Sequence, residues 1–207
     1  MTEKDVQNPL PITVAASASQ LHPGDNQVRI TRAGPGVLYW SAFVSYFKRE
    51  PNPSPTGATA LNILREYYKL VPENNEGHIV YSEQTVQGPF KSGEVMEVRL
   101  TVSATGDEQY LEIEDPIPAG FEFVEQENLY ALKQRPAWWD FYYTQREFHD
   151  DRAALFSTTF QRGQGQFHYL LKAVEPGTYQ ANPARVLPMY EPARQSSTRS
   201  ATVTISR

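Results

Sequence analysis

Glu94-Val95-Met96-Glu97-Val98-Arg99-Leu100-Thr101-Val102-Ser103-Ala104 is the stretch on which the fold turns. Side chains of an extended chain alternate between two faces. Met96, Val98, Leu100 and Val102 therefore share one face, and Glu97, Arg99, Thr101 and Ser103 the other. A helix, with its repeat of 3.6 residues, would scatter the same apolar residues around its circumference. The segment predicts a strand with one face in a core and one toward water.

Runs of the same character lie on both sides of it. Residues 61–70, 79–86, 110–114, 141–148, 153–160, 166–174 and 201–205 all read as strands. Clusters of Gly, Pro, Asn and Asp separate them, as hairpins and crossovers require. Ile12-Thr13-Val14 and residues 27–32 suggest short strands, and residues 37–47, apolar or aromatic on both faces, a long one. Residues 124–133 have room for one or two helical turns, and no apolar stripe with a helical repeat is sustained anywhere. Many short strands without intervening helices predict an all-β fold, an antiparallel β-sandwich with extra N-terminal strands.

Arg49-Glu50-Pro51-Asn52-Pro53-Ser54-Pro55-Thr56-Gly57 carries prolines at alternate positions, which favours an extended connection and forbids a helix. It marks the expected boundary: residues 1–50, a linker at 51–57, and a main domain at 58–207.

Composition narrows the chemistry. With 19 Lys and Arg against 24 Asp and Glu, the net charge of −5 leaves no electrostatic footprint for a nucleic-acid backbone. The absence of cysteine excludes disulfides, thiolate metal sites, cysteine nucleophiles and an internal thioester in this chain. No apolar run approaches the roughly 20 residues that span a bilayer. The N-terminal residues read as no signal peptide, and direct membrane insertion is not expected. No Gly-x-Ser-x-Gly elbow occurs, and Gly163-Gln164-Gly165 lies between strand patterns, where a hairpin turn explains it. His22, His78, His149 and His168 are nowhere paired at metal-ligand spacing. A turn at His149-Asp150-Asp151 would gather ligands acceptable to Ca²⁺, but a solvated loop is the plainer reading. Glu112 and Glu114 are i, i+2 on one strand, the pattern of an exposed polar face and not of carboxylates across a cleft. No catalytic residue, metal or cofactor is expected. Trp138-Trp139, with Tyr142 close by, is the most aromatic stretch and a candidate surface for a sugar or a protein partner.

Several motifs in order resemble one family. Arg65-Glu66-Tyr67-Tyr68, Asp115-Pro116-Ile117-Pro118-Ala119-Gly120-Phe121, Trp138-Trp139-Asp140-Phe141, Arg146-Glu147-Phe148-His149-Asp150-Asp151-Arg152 and Pro183-Ala184-Arg185-Val186-Leu187-Pro188-Met189-Tyr190-Glu191-Pro192 carry the likeness. Together they resemble the C-terminal macroglobulin-like domain of bacterial alpha-2-macroglobulins. Gly34-Pro35-Gly36-Val37-Leu38-Tyr39-Trp40 resembles the strand that enters this domain from a preceding CUB-like module, of which residues 1–50 would be the returning part.

The resemblance implies a non-catalytic module of a periplasmic or cell-surface protease trap. In such traps a bait region is cut and a Cys–Gln thioester captures the protease. The thioester domain of a parent chain and, through the parent, trapped proteases are the implied partners. Met189 and Tyr190, between prolines, are the implied thioester-shielding or interdomain contact. An extracytoplasmic binding module using Trp138, Trp139 and Tyr142 is the alternative reading.

Overall fold

A strand with one apolar face needs a second sheet to cover it. The structure, a computed structural model, describes residues 13–22, 24–42, 60–133 and 145–207. The chain forms two compact units, Met1–Lys48 and Arg49–Arg207.

Among the described residues the second unit holds thirteen strands in three sheets. The first sheet contains β1 (Leu61–Asn75), β2 (His78–Thr85), β4 (Val95–Ala104), β6 (Phe121–Phe123) and β9 (Gly163–Ala173), in spatial order β2-β1-β4-β9-β6. The second contains β5 (Glu108–Pro116), β7 (Gln145–His149), β8 (Arg152–Phe160), β11 (Arg185–Pro188) and β12 (Ser196–Ser197), in order β12-β11-β5-β8-β7. A small third sheet runs β10 (Gly177–Ala181), β13 (Ala201–Ser206) and β3 (Phe90–Lys91). Only the β13–β3 pair is parallel among these ladders. The predicted antiparallel sandwich is the observed fold.

One apolar cluster joins the sheets. Met96, Val98, Leu100 and Val102 of β4 and Phe167, Tyr169 and Leu171 of β9 come from the first sheet. Leu111 and Ile113 of β5, Leu155 of β8 and Val186 of β11 come from the second. All are fully or nearly fully buried, each large side chain being worth about 1.5–3 kcal/mol of transfer free energy. The register Val98↔Tyr169 and Leu100↔Phe167 aligns the inward faces of β4 and β9.

Two charged residues occupy the apolar phase of their strands. Arg65 follows Leu61 and Ile63 inward on β1, and Asp115 follows Leu111 and Ile113 inward on β5. They meet at 2.5 Å, both side chains almost wholly buried. The Tyr169 hydroxyl donates to the other Asp115 oxygen at 2.9 Å, and Arg65 also donates to the carbonyls of Ala181, Asn182 and Arg199. A buried ion pair survives only when its remaining donors and acceptors are satisfied in this way. Burial raises the Asp115 pKa, against the pull of Arg65 and Tyr169. Burial also raises the Tyr67 pKa, Arg65 opposing.

The outer face of the first sheet is only partly solvated. Residues 124–133 cross it, pinned by Val124 N–H to Leu170 O, Tyr81 N–H to Ala131 O and Lys133 N–H to Tyr81 O. Under this cover Leu70, Val95 and Leu170 form a second apolar cluster with Tyr81, Val124, Tyr130 and Leu132. Residues 124–133 contain one short 3-10 turn, Glu127–Leu129, within the helical allowance expected of them.

Several sequence expectations need correction. Gly163-Gln164-Gly165 is not the hairpin turn: Gln161 and Arg162 turn, and these residues open β9, with Gly163 at φ 131°. Glu97 faces outward as its phase requires, yet is fully buried. In the first unit, the strands expected at 27–32 and from residue 37 are not formed in the described residues. Residues 13–42 carry one 3-10 turn, Ala18–Gln20, and are exposed. A strand is stabilised by a hydrogen-bonded neighbour, and among the described residues none pairs with these segments. Residues 43–47 and 141–144 of the expected strands lie outside the described residues.

Candidate functional site

The loop from β11 to β12 begins at Pro188, whose ring fixes φ and ends the ladder with β5. Met189 and Tyr190 form the following turn. Met189 donates its N–H to Tyr110 O at 2.9 Å, Glu191 its N–H to Pro188 O at 3.0 Å, and Arg194 its N–H to Glu191 O at 2.9 Å. The Arg194 guanidinium then bridges Glu191 at 3.2 Å and Glu108 at 2.5 Å. Hydrogen bonds to Glu108, then Glu191, raise the Arg194 pKa. The loop is thus fastened to the start of β5 at two points, Glu108 and Tyr110.

The result is a rigid projection with an apolar tip. Tyr190 is 77% exposed and Met189 44%. The Tyr190 ring stands edge-on to Tyr110, with centroids 5.3 Å apart and planes at 83°. Tyr110, itself 44% exposed, holds φ at +54°, a conformation that costs a non-glycine residue about 1–2 kcal/mol. Sequence reading singled out Met189 and Tyr190 but missed Tyr110, Glu108 and Arg194. Nothing in a sequence marks a tyrosine for the left-handed region, and Glu108–Arg194 is a pairing across 86 residues.

Other candidates are placed as follows. Trp138, Trp139 and Tyr142 lie outside the described residues. His149 Nε2 is 3.5 Å from Glu147, and Asp151 pairs with Arg152 at 3.0 Å. Among the described residues no three His, Cys, Asp or Glu side chains are grouped to hold a metal ion. Glu112 and Glu114 share the outer face of β5, where Glu114 pairs with Arg185 and Arg152. Burial, reinforced by Glu114, raises the Glu112 pKa. Among the described residues no helix is long and apolar enough to cross a membrane.

The outer face of the first sheet holds one further polar cluster. Arg99 lies over the Tyr68 ring at 4.4 Å, reaching Glu83 at 2.6 Å and Glu97 at 3.0 Å. Glu97 Oε2 and Glu83 Oε1 are both buried without a hydrogen-bond donor. Burial pushes the Glu97 carboxyl up to about 8; Arg99 opposes the shift, and the charge of Glu83 adds to it. Neither carboxylate lines the neighbouring pocket between Glu127, Tyr130, Arg146 and His168, and the pair reads as a structural element.

Comparison with known proteins places the domain. The family described as Bacterial Alpha-2-macroglobulin MG10 domain matches residues 61–193. An alpha-2-macroglobulin from Xylella fastidiosa is 33% identical over 193 residues, covering 86% of this chain and 11% of its own length. An alpha-2-macroglobulin homolog from Nostoc is 26% identical over 186 residues, covering 87% and 9%. The chain thus spans about a tenth of the length of these curated relatives. Native Escherichia coli alpha-2-macroglobulin, from its domain MG7 to the C-terminus, matches in fold with a TM-score of 0.59 at 24% identity. That match covers 75% of this chain and 24% of the other. The match across residues 61–193, more than half of the chain, settles the family: the chain belongs to the bacterial alpha-2-macroglobulin MG10 domain family.

Proposed function

We propose that this chain is a non-catalytic module of a bacterial alpha-2-macroglobulin-type endopeptidase inhibitor. Its Met189–Tyr190 tip packs against a thioester domain in a longer parent chain and keeps water from the thioester. The observation that carries this reading is the tip itself: an aromatic ring 77% exposed on a loop fastened by two carboxylate contacts and a main-chain hydrogen bond. Two adjacent exposed side chains, one of them aromatic, on a fastened loop suit an interdomain contact. Met adapts to an irregular surface, and Tyr joins apolar area to a hydroxyl. The lack of cysteine puts the thioester elsewhere, so the role here is protection and not capture.

In the same reading residues 1–50 are the returning part of a CUB-like module, 51–57 a linker and 58–207 the macroglobulin-like domain. The setting is the periplasm or cell surface, and trapped proteases are partners through the parent. The test uses a parent chain containing both domains. Tyr190→Gly or Met189→Ala should shorten the lifetime of the uncleaved thioester toward methylamine or water, with domain stability little changed. An unchanged lifetime refutes the shielding role.

A further inference from the structure

Strand β5 changes phase at its start, and Tyr110 stands at the point of change. Leu111, Ile113 and Asp115 point into the core, so strict alternation would send Gln109 inward and Glu108 outward. The reverse is found: Glu108 is buried, while Gln109 and Tyr110 are both exposed. Tyr110, with its φ of +54°, stands at this change; the register with β8 is kept, and β8 changes phase at the same level, Thr158 and Thr159 being exposed and Phe160 buried. Glycine would adopt that conformation without strain, and asparagine nearly so. A tyrosine stands there instead, so its side chain has to be accounted for as well as its backbone.

Both parts of the residue act on the same loop. The phase change turns Glu108 inward, where Arg194 reaches it and closes the loop. The Tyr110 carbonyl accepts the Met189 N–H. The Tyr110 ring meets the Tyr190 ring edge-on, the favoured arrangement for an aromatic pair. We propose that Tyr110 is the positioning residue of the tip. Its left-handed backbone fastens the loop, and its ring fixes the direction in which Tyr190 projects. This rests on the reading of Met189 and Tyr190 as a contact surface. It adds that the surface is preorganised, so that little side-chain freedom is lost when the partner domain docks.

Substitution separates ring from backbone. Tyr110→Gly and Tyr110→Asn keep the left-handed conformation, the Glu108–Arg194 pair and the Met189 hydrogen bond, and remove only the ring. Tyr110→Phe keeps the ring and removes only the hydroxyl. Ring-labelled tyrosine in the 207-residue chain reports on Tyr190 by NMR. The unaltered chain and Tyr110→Phe should show nuclear Overhauser contacts between rings 110 and 190, with ring-current-shifted Tyr190 signals. In Tyr110→Gly and Tyr110→Asn the Tyr190 ring should lose order, read as a lower ring order parameter from relaxation and not from chemical shift, which changes with the loss of the Tyr110 ring current alone. A Tyr190 ring that keeps its order parameter in both ring-less variants overturns the proposal.

A second readout, thioester lifetime in a parent chain, keeps the two claims apart. If Tyr110→Gly releases the Tyr190 ring, but neither it nor Tyr190→Gly shortens the lifetime, positioning stands and shielding falls. If Tyr190→Gly shortens the lifetime several-fold while Tyr110→Gly leaves both the ring and the lifetime unaltered, shielding stands and positioning falls. If both hold, the double variant decays no faster than Tyr190→Gly alone, because the two rings act as one element.

Discussion

Replacing Glu97 by Gln is expected to stabilise the protein at neutral pH, although it removes one partner of a buried arginine. Glu97 is fully buried on the outer face of the first sheet, opposite Tyr68 on β1 and Leu170 on β9. The charged and titratable groups around it are Arg99 on its own strand, Glu66 and Tyr68 on β1, Glu83 on β2 and His168 on β9. Arg99 is shared between the buried Glu97 and the half-buried Glu83. A proton held between the two carboxyls would satisfy both orphaned oxygens. Burial, with the charge of Glu83 adding to it, favours the protonated form of Glu97 and raises its pKa from 4.5 to about 8.

The folded state binds this proton more tightly than the unfolded state. Its stabilising contribution is complete below pH 4.5 and is lost as the pH rises toward 8. The slope is about 1.4 kcal/mol per pH unit, so about 3 kcal/mol is lost by pH 7. Gln needs no proton: its amide N–H donates to Glu83 and its carbonyl accepts from Arg99. Urea unfolding of the unaltered chain and Glu97→Gln at pH 5, 6, 7 and 8 makes the comparison; the difference reads Glu97 together with its coupled neighbour Glu83, and titrations of remote groups cancel. The variant should match the parent within about 1 kcal/mol at pH 5 and exceed it by about 3 kcal/mol at pH 7. A difference that stays flat across this range, or a Gln variant less stable at pH 7, would show Glu97 to be ionised and paired with Arg99. The shared-proton argument would then be wrong.

Three further outcomes follow from the same geometry. Asp115→Ala should cost about 3–5 kcal/mol in urea unfolding, because it strands the Arg65 guanidinium. Arg65→Met combined with Asp115→Leu should recover most of that loss. Gly120→Ala should cost about 1–3 kcal/mol, since a Cβ there would lie 2.1 Å from a Tyr179 ring carbon; adding Tyr179→Ala should reduce the extra cost of the methyl group. Amide hydrogen exchange should be fast across residues 13–42, which carry no sheet ladder, and slowest in β4 and β9, which are paired on both sides.

The long strands were legible in sequence because their faces differ. The alternation through Met96 and Val102 gave both the strand and its inward face. The short strands β3, β6, β10, β11 and β12 were missed because two to five residues hold no period to count. Arg65 and Asp115 were noticed only as parts of motifs. Their burial was nonetheless readable: each sits two residues beyond an isoleucine in the apolar phase, Ile63 and Ile113. An ionisable residue in that phase calls for a partner across the core. Gly120, quoted within the same motif, answers to the close approach of Tyr179. The burial of Glu97 could not be read, because it depends on how residues 124–133 return across the sheet.

These departures from simple patterning differ in where they are answered, and that difference supports the proposed contact surface. A local rule broken in a folded protein is either compensated nearby or kept for use. Arg65 and Asp115 compensate each other inside the sandwich, and Glu97 is answered by Glu83 and Arg99. The missing side chain at Gly120 is filled by the Tyr179 ring. Tyr110 is different. Its strained backbone fastens a loop whose end is Tyr190, a ring still 77% open to solvent. Stability alone would be served at lower cost by glycine at 110 and a small polar residue at 190. The tip of Tyr110, Met189 and Tyr190 is therefore where a partner of this domain should be sought.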